Sequence, residues 1–157
     1  MISLVRVDDR LIHGQVTVGW APYLRASRII VVSDRLAANT VLASILRVGV
    51  PVGMQIDVVS IEESAALCSQ GRSSPESVIV LFECLDDVRL AVGLGLQVQS
   101  LNLGGLRGSG DGVRVSDAVF LSPQDQEIIR DLRLRGTAVE ARIMPGDRPG
   151  PLPEEEA

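Results

Sequence analysis

A chain of 157 residues is the length of one ordinary domain, enough to bury roughly two thirds of its unfolded surface around one core and too short for a second. It is 46% hydrophobic but only 3% aromatic, so the core must be built from Val, Ile, Leu and Ala, which suits helices packed on a sheet. All 15 basic residues are arginine against 20 acids, and without the glutamates Glu154 to Glu156 the acids fall to 17; a chain with neither a basic face nor stacking aromatics is not built for nucleic acid.

Met1 to Arg6 has no basic stretch ahead of an apolar one and no small-residue cleavage site, and no apolar run approaches the roughly 20 residues needed to span a bilayer, so a cytoplasmic protein is expected. Ser3 to Val7 reads as a first strand, broken by Asp8-Asp9-Arg10. Gln15 to about Leu24 reads as a helix that Pro22 should bend or end early. Arg28 to Val32 is a nearly continuous β-branched run, as in a strand buried on both faces. Ser33 and Asp34 can cap a next helix with Ala38, Val41, Leu42, Ile45 and Leu46 as its apolar stripe, stopped by Gly49 and Pro51.

Met54 to Val59 is a third strand, and Ser60 with Glu63 forms a capping box that opens a helix to about Gln70. After a loop at residues 71–75, Ser77 to Phe82 is a fourth strand, Asp86 to Leu94 a helix and Val98 to Leu103 a fifth strand. A glycine-rich segment, 104–112, leads to a short extra strand at Val113 to Val115. Ser122-Pro123 starts another helix with Ile128, Ile129 and Leu132 inward, and Thr137 to Ile143 is a last strand. The proline- and glutamate-rich stretch that follows should not be forced into structure. Cys68 and Cys84 lie in apolar patterns without paired spacing and read as reduced, buried small hydrophobes.

Strands alternating with helices predict an α/β fold: an open, mostly parallel sheet with helices on both faces and a short antiparallel edge strand. Ligand chemistry in such sheets gathers at the carboxyl ends of the strands. His13, the one histidine in the chain, sits there, after the first strand. Gly14 allows close backbone approach, Arg10 offers a planar donor for phosphate oxygens, and a helix start at Gln15 offers N–H groups, which are the parts phosphoryl transfer needs. Ser33 and Asn102 to Gly105 should share the same rim.

Competing chemistries fail on counting. There is no Gly-x-Ser-x-Gly elbow for a serine hydrolase, a zinc site would need two distant cysteines, and a two-histidine phosphatase has no second histidine. Lysine is absent, so 104–112 is no Walker A loop and reads as a flexible turn. Asp8 and Asp9 could serve acid–base chemistry or Mg²⁺, but orienting Arg10 and capping the loop is the simpler role. No metal and no cofactor is expected.

The stretch Arg6-Val7-Asp8-Asp9-Arg10-Leu11-Ile12-His13-Gly14-Gln15-Val16, with Trp20 and Arg28 to Asp34 behind it, resembles the IIB subunits of the mannose/fructose/sorbose class of the bacterial sugar phosphotransferase system. Asn102-Leu103-Gly104-Gly105 and Val139 to Arg142 extend the likeness over roughly residues 1 to 143. The resemblance implies a IIB phosphocarrier domain over 1–144, a tail over 145–157, and an open α/β sheet. It implies that His13 takes a phosphoryl group on Nδ1 from a IIA protein and passes it to a sugar held by the IIC and IID membrane subunits, at the membrane's cytoplasmic side. In that scheme Arg10, Gly14, Gln15 and Ser33 bind the phosphate, Asp8 and Asp9 support, Arg6 and Arg28 help Arg10 steer a phosphorylated partner, and a homodimer is plausible. A second reading stays open: a phosphorylation-dependent regulatory or binding protein that phosphorylates no sugar.

Overall fold

Chain direction and side-chain alternation in one central strand organise the molecule. In the computed structural model, which describes residues 1–71 and 75–153, the strands are β1 (Ile2–Asp8), β2 (Arg28–Val32), β3 (Gln55–Val59), β4 (Val78–Phe82), β5 (Ser100–Gly105), β6 (Val113–Arg114), β7 (Phe120–Leu121) and β8 (Ala138–Ala141). Six of them form one sheet in the order β3-β2-β4-β1-β5-β8, with parallel ladders throughout, while β6 and β7 pair antiparallel in a short ribbon of their own. The expected architecture is therefore present, with the short antiparallel strand set in that ribbon. Residues 72–74 of the expected 71–75 loop and the glutamate run of the tail lie outside the described residues.

Because successive strand residues face opposite sides, each strand feeds two cores. Val5, Val7, Ile30, Val32, Val80 and Phe82 face α4 (Ile61–Gly71), α5 (Leu85–Gly93) and α6 (Pro123–Leu134), whose Ile61, Val88, Ile128 and Leu132 are buried there. Ile29, Val31, Ile79 and Leu81 face the other way, onto Val16, Trp20, Ala21 and Leu36. Those four come from the layer holding α1 (Ala21–Leu24), α2 (Asp34–Ala37) and α3 (Thr40–Val48). Each fully buried Ile, Leu or Val contributes on the order of 1.5–3 kcal/mol of transfer free energy. Two of the anticipated helix starts are built as capping boxes: Ser60 and Glu63 exchange reciprocal bonds of 3.0 and 3.1 Å, and Ser122 does the same with Asp125, with Pro123 behind it.

Two helical expectations needed revision. The segment after His13 is not plain α-helix: Gln15–Trp20 is a π-helical turn, in which the amide of Ala21 reaches back five residues to the carbonyl of Val16. The α-helix restarts at Ala21, so Pro22 falls in a first turn, where its missing N–H breaks no bond. The single helix expected after Ser33 is two, because the Asn39 side chain accepts from the amide of Leu42 and starts α3 afresh. That restart turns the apolar stripe: Val41 and Ile45, expected inside, are 68% and 62% exposed, and Ala43 is buried instead. Of the cysteines, Cys68 is buried and Cys84 only half-buried, both free thiols. Among the described residues no helix is long and apolar enough to cross a membrane.

After β8 the chain turns back. The amide of Gly150 donates to the carbonyl of Ala141 at 2.7 Å, Leu152 packs on the larger core, and Arg133 donates to the carbonyl of Pro153.

Candidate functional site

The alternation that puts Val5 and Val7 in one core puts Arg6 and Asp8 on the opposite face, at the carboxyl end of β1. Arg6 is fully buried, and a buried guanidinium is tolerated only where its donors are taken up. Nη1 donates to Asn102 Oδ1 at 2.7 Å, to the carbonyl of Arg142 at 3.0 Å and to that of Ile143 at 3.1 Å. Nη2 and Nε donate to Asp8 Oδ2 at 3.0 and 3.3 Å. Burial pulls this guanidinium below its ordinary pKa, and Asp8 acts in the opposite direction. The ring of Trp20 closes the site, 5.7 Å from the guanidinium carbon, with its own N–H donated to the Ile143 carbonyl at 2.8 Å.

Room for that guanidinium comes from β5, where Asn102 stands beside Arg6 in register. A Cβ on Gly104 would lie 1.8 Å from the Arg6 guanidinium carbon, and one on Gly105 would lie 2.7 Å from Asp8 Oδ1. The glycine pair at the start of the 104–112 segment is thus a close-approach surface inside a strand, not a flexible turn.

Asp8 is the hub, itself without exposure. Its Oδ1 accepts from the amide and Nε of Arg10, each at 3.1 Å, and its Oδ2 from Arg10 Nη2 at 3.3 Å. His13 Nε2 lies 2.7 Å from the same Oδ2. Burial acts to raise the Asp8 pKa; the hydrogen bonds from Arg10 and His13 outweigh it and hold the carboxyl below the usual carboxylate value. A carboxylate can only accept, so Nε2 carries a hydrogen, and in the neutral ring Nδ1 presents its lone pair. Among the described residues Nδ1 has no hydrogen-bond partner, and the ring is 17% exposed.

The loop that carries His13 is bent sharply. Leu11 adopts φ 55°, a left-handed conformation costly for a residue with a Cβ, and is held there by its buried side chain and by its amide bonded to the Asp8 carbonyl at 2.9 Å. The carbonyl of His13 then accepts from the amides of Val16 and Thr17 at 3.0 Å each, which starts the π turn. Gly14 is exposed, at φ −53°, with nothing within 4 Å of where a Cβ would stand. Neither the backbone nor the packing of this chain demands glycine there.

Of the residues singled out in the sequence, Asp8, Arg10, His13, Gly14 and Gln15 are brought together. Gln15 Oε1 accepts from Arg10 Nη2 at 2.8 Å, so its side chain steadies that arginine. Asp9 does not orient Arg10. Its Oδ2 accepts from the amide and Nε of Arg107, at 2.8 and 3.1 Å, pinning the segment after β5 to the His13 loop. Ser33 caps α2 and donates to Glu83 Oε2 at 3.1 Å, at the end of β2, two strands from β1, and no hydrogen bond among the described residues joins it to His13. The steering expected of Arg6 and Arg28 is overturned by position: Arg6 has no exposed surface, and Arg28 opens β2 at the amino end of the strands, opposite the rim that carries His13, paired with Asp57 at 2.6 Å. Asn102, Gly104 and Ile143 are site residues whose roles the sequence did not announce. Among the described residues no group of three or more His, Cys, Asp or Glu is placed to hold a metal ion.

A family model described as PTS system sorbose subfamily IIB component matches residues 2–154. The sorbose-specific EIIB component of Klebsiella pneumoniae is 37% identical over 146 residues, 93% of this chain and 89% of that protein. The mannose-specific EIIAB component of Escherichia coli strain K12 is 36% identical over 94% of this chain, which spans 46% of that longer protein. The crystal structure of the IIBSor domain of the sorbose permease from Klebsiella pneumoniae superposes with a TM-score of 0.84 at 36% identity, covering 95% of this chain and 91% of that one.

Proposed function

The chain belongs to the sorbose-subfamily IIB components of the sugar phosphotransferase system, and from that membership and the His13 geometry we propose that it is a phosphocarrier with His13 as its transient phosphorylation site. One observation carries the reading: Nε2 is tied to a buried carboxylate, which directs the lone pair of Nδ1 to the open side of the loop. Nδ1 attacks the phosphorus of a phosphohistidine on a IIA partner; the new P–N bond forms as the donor's breaks, and the donor ring keeps the released electron pair. The acceptor ring becomes cationic as the donor ring loses its charge, so no proton has to move. Asp8 stabilises that cation through Nε2–H. In the second step the same bond breaks toward a sugar hydroxyl presented by IIC and IID membrane subunits, at whose cytoplasmic side the domain works; Nδ1 recovers its electron pair, the ring returns to neutral, and the hydroxyl's proton passes to solvent.

Phosphoryl transfer depends on positioning and charge neutralisation, and the reading assigns these to Arg10 and to the backbone of Gly14 and Gln15. Incubation with phosphoenolpyruvate, the two general phosphotransferase proteins and a IIA partner is expected to add one acid-labile phosphoryl group by intact mass, absent in His13→Ala with an unchanged circular dichroism spectrum. Unmodified wild-type protein would leave the phosphorylation-dependent binding reading without its chemistry and the carrier reading without support. Gly14→Ala is expected to leave the unfolding free energy within about 0.5 kcal/mol, or raise it slightly, because the new methyl meets nothing. Its phosphorylation rate is expected to fall about tenfold, as a methyl on the exposed backbone next to His13 hinders close approach of the donor, equivalent to about 1.4 kcal/mol in the barrier; unimpaired transfer would remove Gly14 from the site.

A further inference from the structure

Two guanidinium groups converge on Asp8, and they differ in one respect that matters for chemistry at Nδ1. Arg6 is sealed: zero exposure, Trp20 over it, Gly104 against its plane, and Nη1 locked to Asn102 and the carbonyls of residues 142 and 143. Arg10 is on the rim, its side chain 38% exposed, held by Asp8 and Gln15 through Nε and Nη2, with no hydrogen bond to Nη1 among the described residues. Arg10, exposed on the His13 rim, is open to an incoming phosphoryl group, and Arg6, with no exposed surface, is not.

We infer that the two arginines divide the work: Arg6 is the permanent counter-ion of Asp8, which frees Arg10 to be shared with the phosphoryl oxygens, and Arg6 is thereby a positioning residue for the transfer although it touches no reacting atom. The inference rests on the phosphohistidine reading and deepens it. Without Arg6, Asp8 would be left to Arg10 alone, and drawing Arg10 toward the phosphate would strip a buried carboxylate of its remaining cation while it also holds Nε2–H. The chain needs two arginines on one aspartate because one of them has a second engagement. Other charged groups near this end of the sheet are engaged elsewhere: Asp9 with Arg107, Glu83 with Arg35, and Arg142 with Glu140.

The test is a double-mutant cycle on Arg6→Met and Arg10→Ala, reading the rate at which His13 is phosphorylated. Two phosphoryl sources are used: phospho-IIA, and potassium phosphoramidate, which phosphorylates imidazoles without a protein donor. A protein with one histidine gives a single Nε2–H proton resonance in nitrogen-15-labelled protein, and its persistence shows that the Asp8–His13 bond survives each substitution. With that resonance retained, Arg6→Met is expected to slow phosphorylation about tenfold from both sources, and Arg10→Ala to cost little more in the Arg6→Met background than that loss already does. Wild-type rates in Arg6→Met, or losses that multiply independently in the double variant, overturn the division of roles. Should Arg6→Met lose the resonance, Asn102→Ala is read in its place: it removes one anchor of Arg6 without removing its charge, a severalfold slowing is expected, and an unchanged rate counts against the inference. Phosphorylation of wild type by phosphoramidate but by no IIA protein would sink the carrier reading and leave this inference standing.

Discussion

Asp8→Ala is expected to be among the most destabilising single substitutions in the chain, lowering the unfolding free energy by about 3–5 kcal/mol, the cost of leaving one member of a buried ion pair uncompensated. The abandoned partner is Arg6, which has no exposed surface through which water could replace the carboxylate. Urea unfolding checks this, with a lower midpoint at unchanged slope, and so does a melting temperature reduced by roughly 6–20 °C for a domain of this size. The loss is also pH-dependent, with a sign set by the depressed Asp8 pKa. A carboxyl depressed in the folded state contributes stability above its unfolded value, about 3.9, and loses it as the pH falls toward and through the folded value. The gap between wild type and Asp8→Asn is therefore expected to be constant near neutrality and to close below about pH 4. A gap that stays constant to pH 2 would mean that Asp8 acts through shape and not charge.

The second large effect comes from a residue with no polar atom of its own in the site. Gly104→Ala would place a methyl carbon 1.8 Å from the Arg6 guanidinium carbon and 2.0 Å from Nη2, so the guanidinium must leave its seat. An arginine on a surface would swing aside at little cost. Here the movement breaks the bonds to Asn102, Asp8 and two main-chain carbonyls, so the ordinary overpacking penalty of about 1–3 kcal/mol is a lower bound and the cost of breaking a buried pair, about 3–5 kcal/mol, is the expected scale. Gly93→Ala, at the last residue of α5, meets nothing within 4 Å and serves as the control, neutral or stabilising by up to about 1 kcal/mol. Equal stability of the two variants would show that Arg6 has slack that the geometry does not reveal.

Why the sheet was readable and the floor of the site was not follows from the range of the interactions. The run Arg28 to Val32, the Ser60–Glu63 box and the Ser122–Pro123 start are local signals, complete within a few residues, and each appears where it was expected. His13 with Asp8 and Arg10 is local too, within one strand and one loop. The role of Gly104 is not: it depends on a side chain 98 residues earlier that reads, in sequence, as an interruption of an apolar strand. A charged residue in the middle of β1 was the available signal, since Arg6 can be buried there only if acceptors and space are supplied from elsewhere. Likewise the apolar spacing of Ala38, Val41 and Ile45 looked inward because nothing apolar in the pattern registers that Asn39 restarts the helix. Arg28 was misplaced for a simpler reason: a strand has two ends, and only the carboxyl end of the sheet carries this chemistry.

The π turn at Gln15–Trp20 makes the site sensitive to counting as well as to chemistry. A turn of this kind holds one residue more than an α-turn, and that surplus residue sets the angle between the His13 loop and α1, whose Ala21 is fixed in the core beside Trp20. The turn already holds its surplus residue, so one further residue has no bulge left to occupy and enters as regular helix, which rotates everything on its amino side by about 100° about the helix axis. Gln15 leaves Arg10, and the loop no longer presents the histidine over the aspartate. A single-codon insertion there would silence the protein with every reactive group still encoded, a lesion of phase that a comparison of residue identities would pass over.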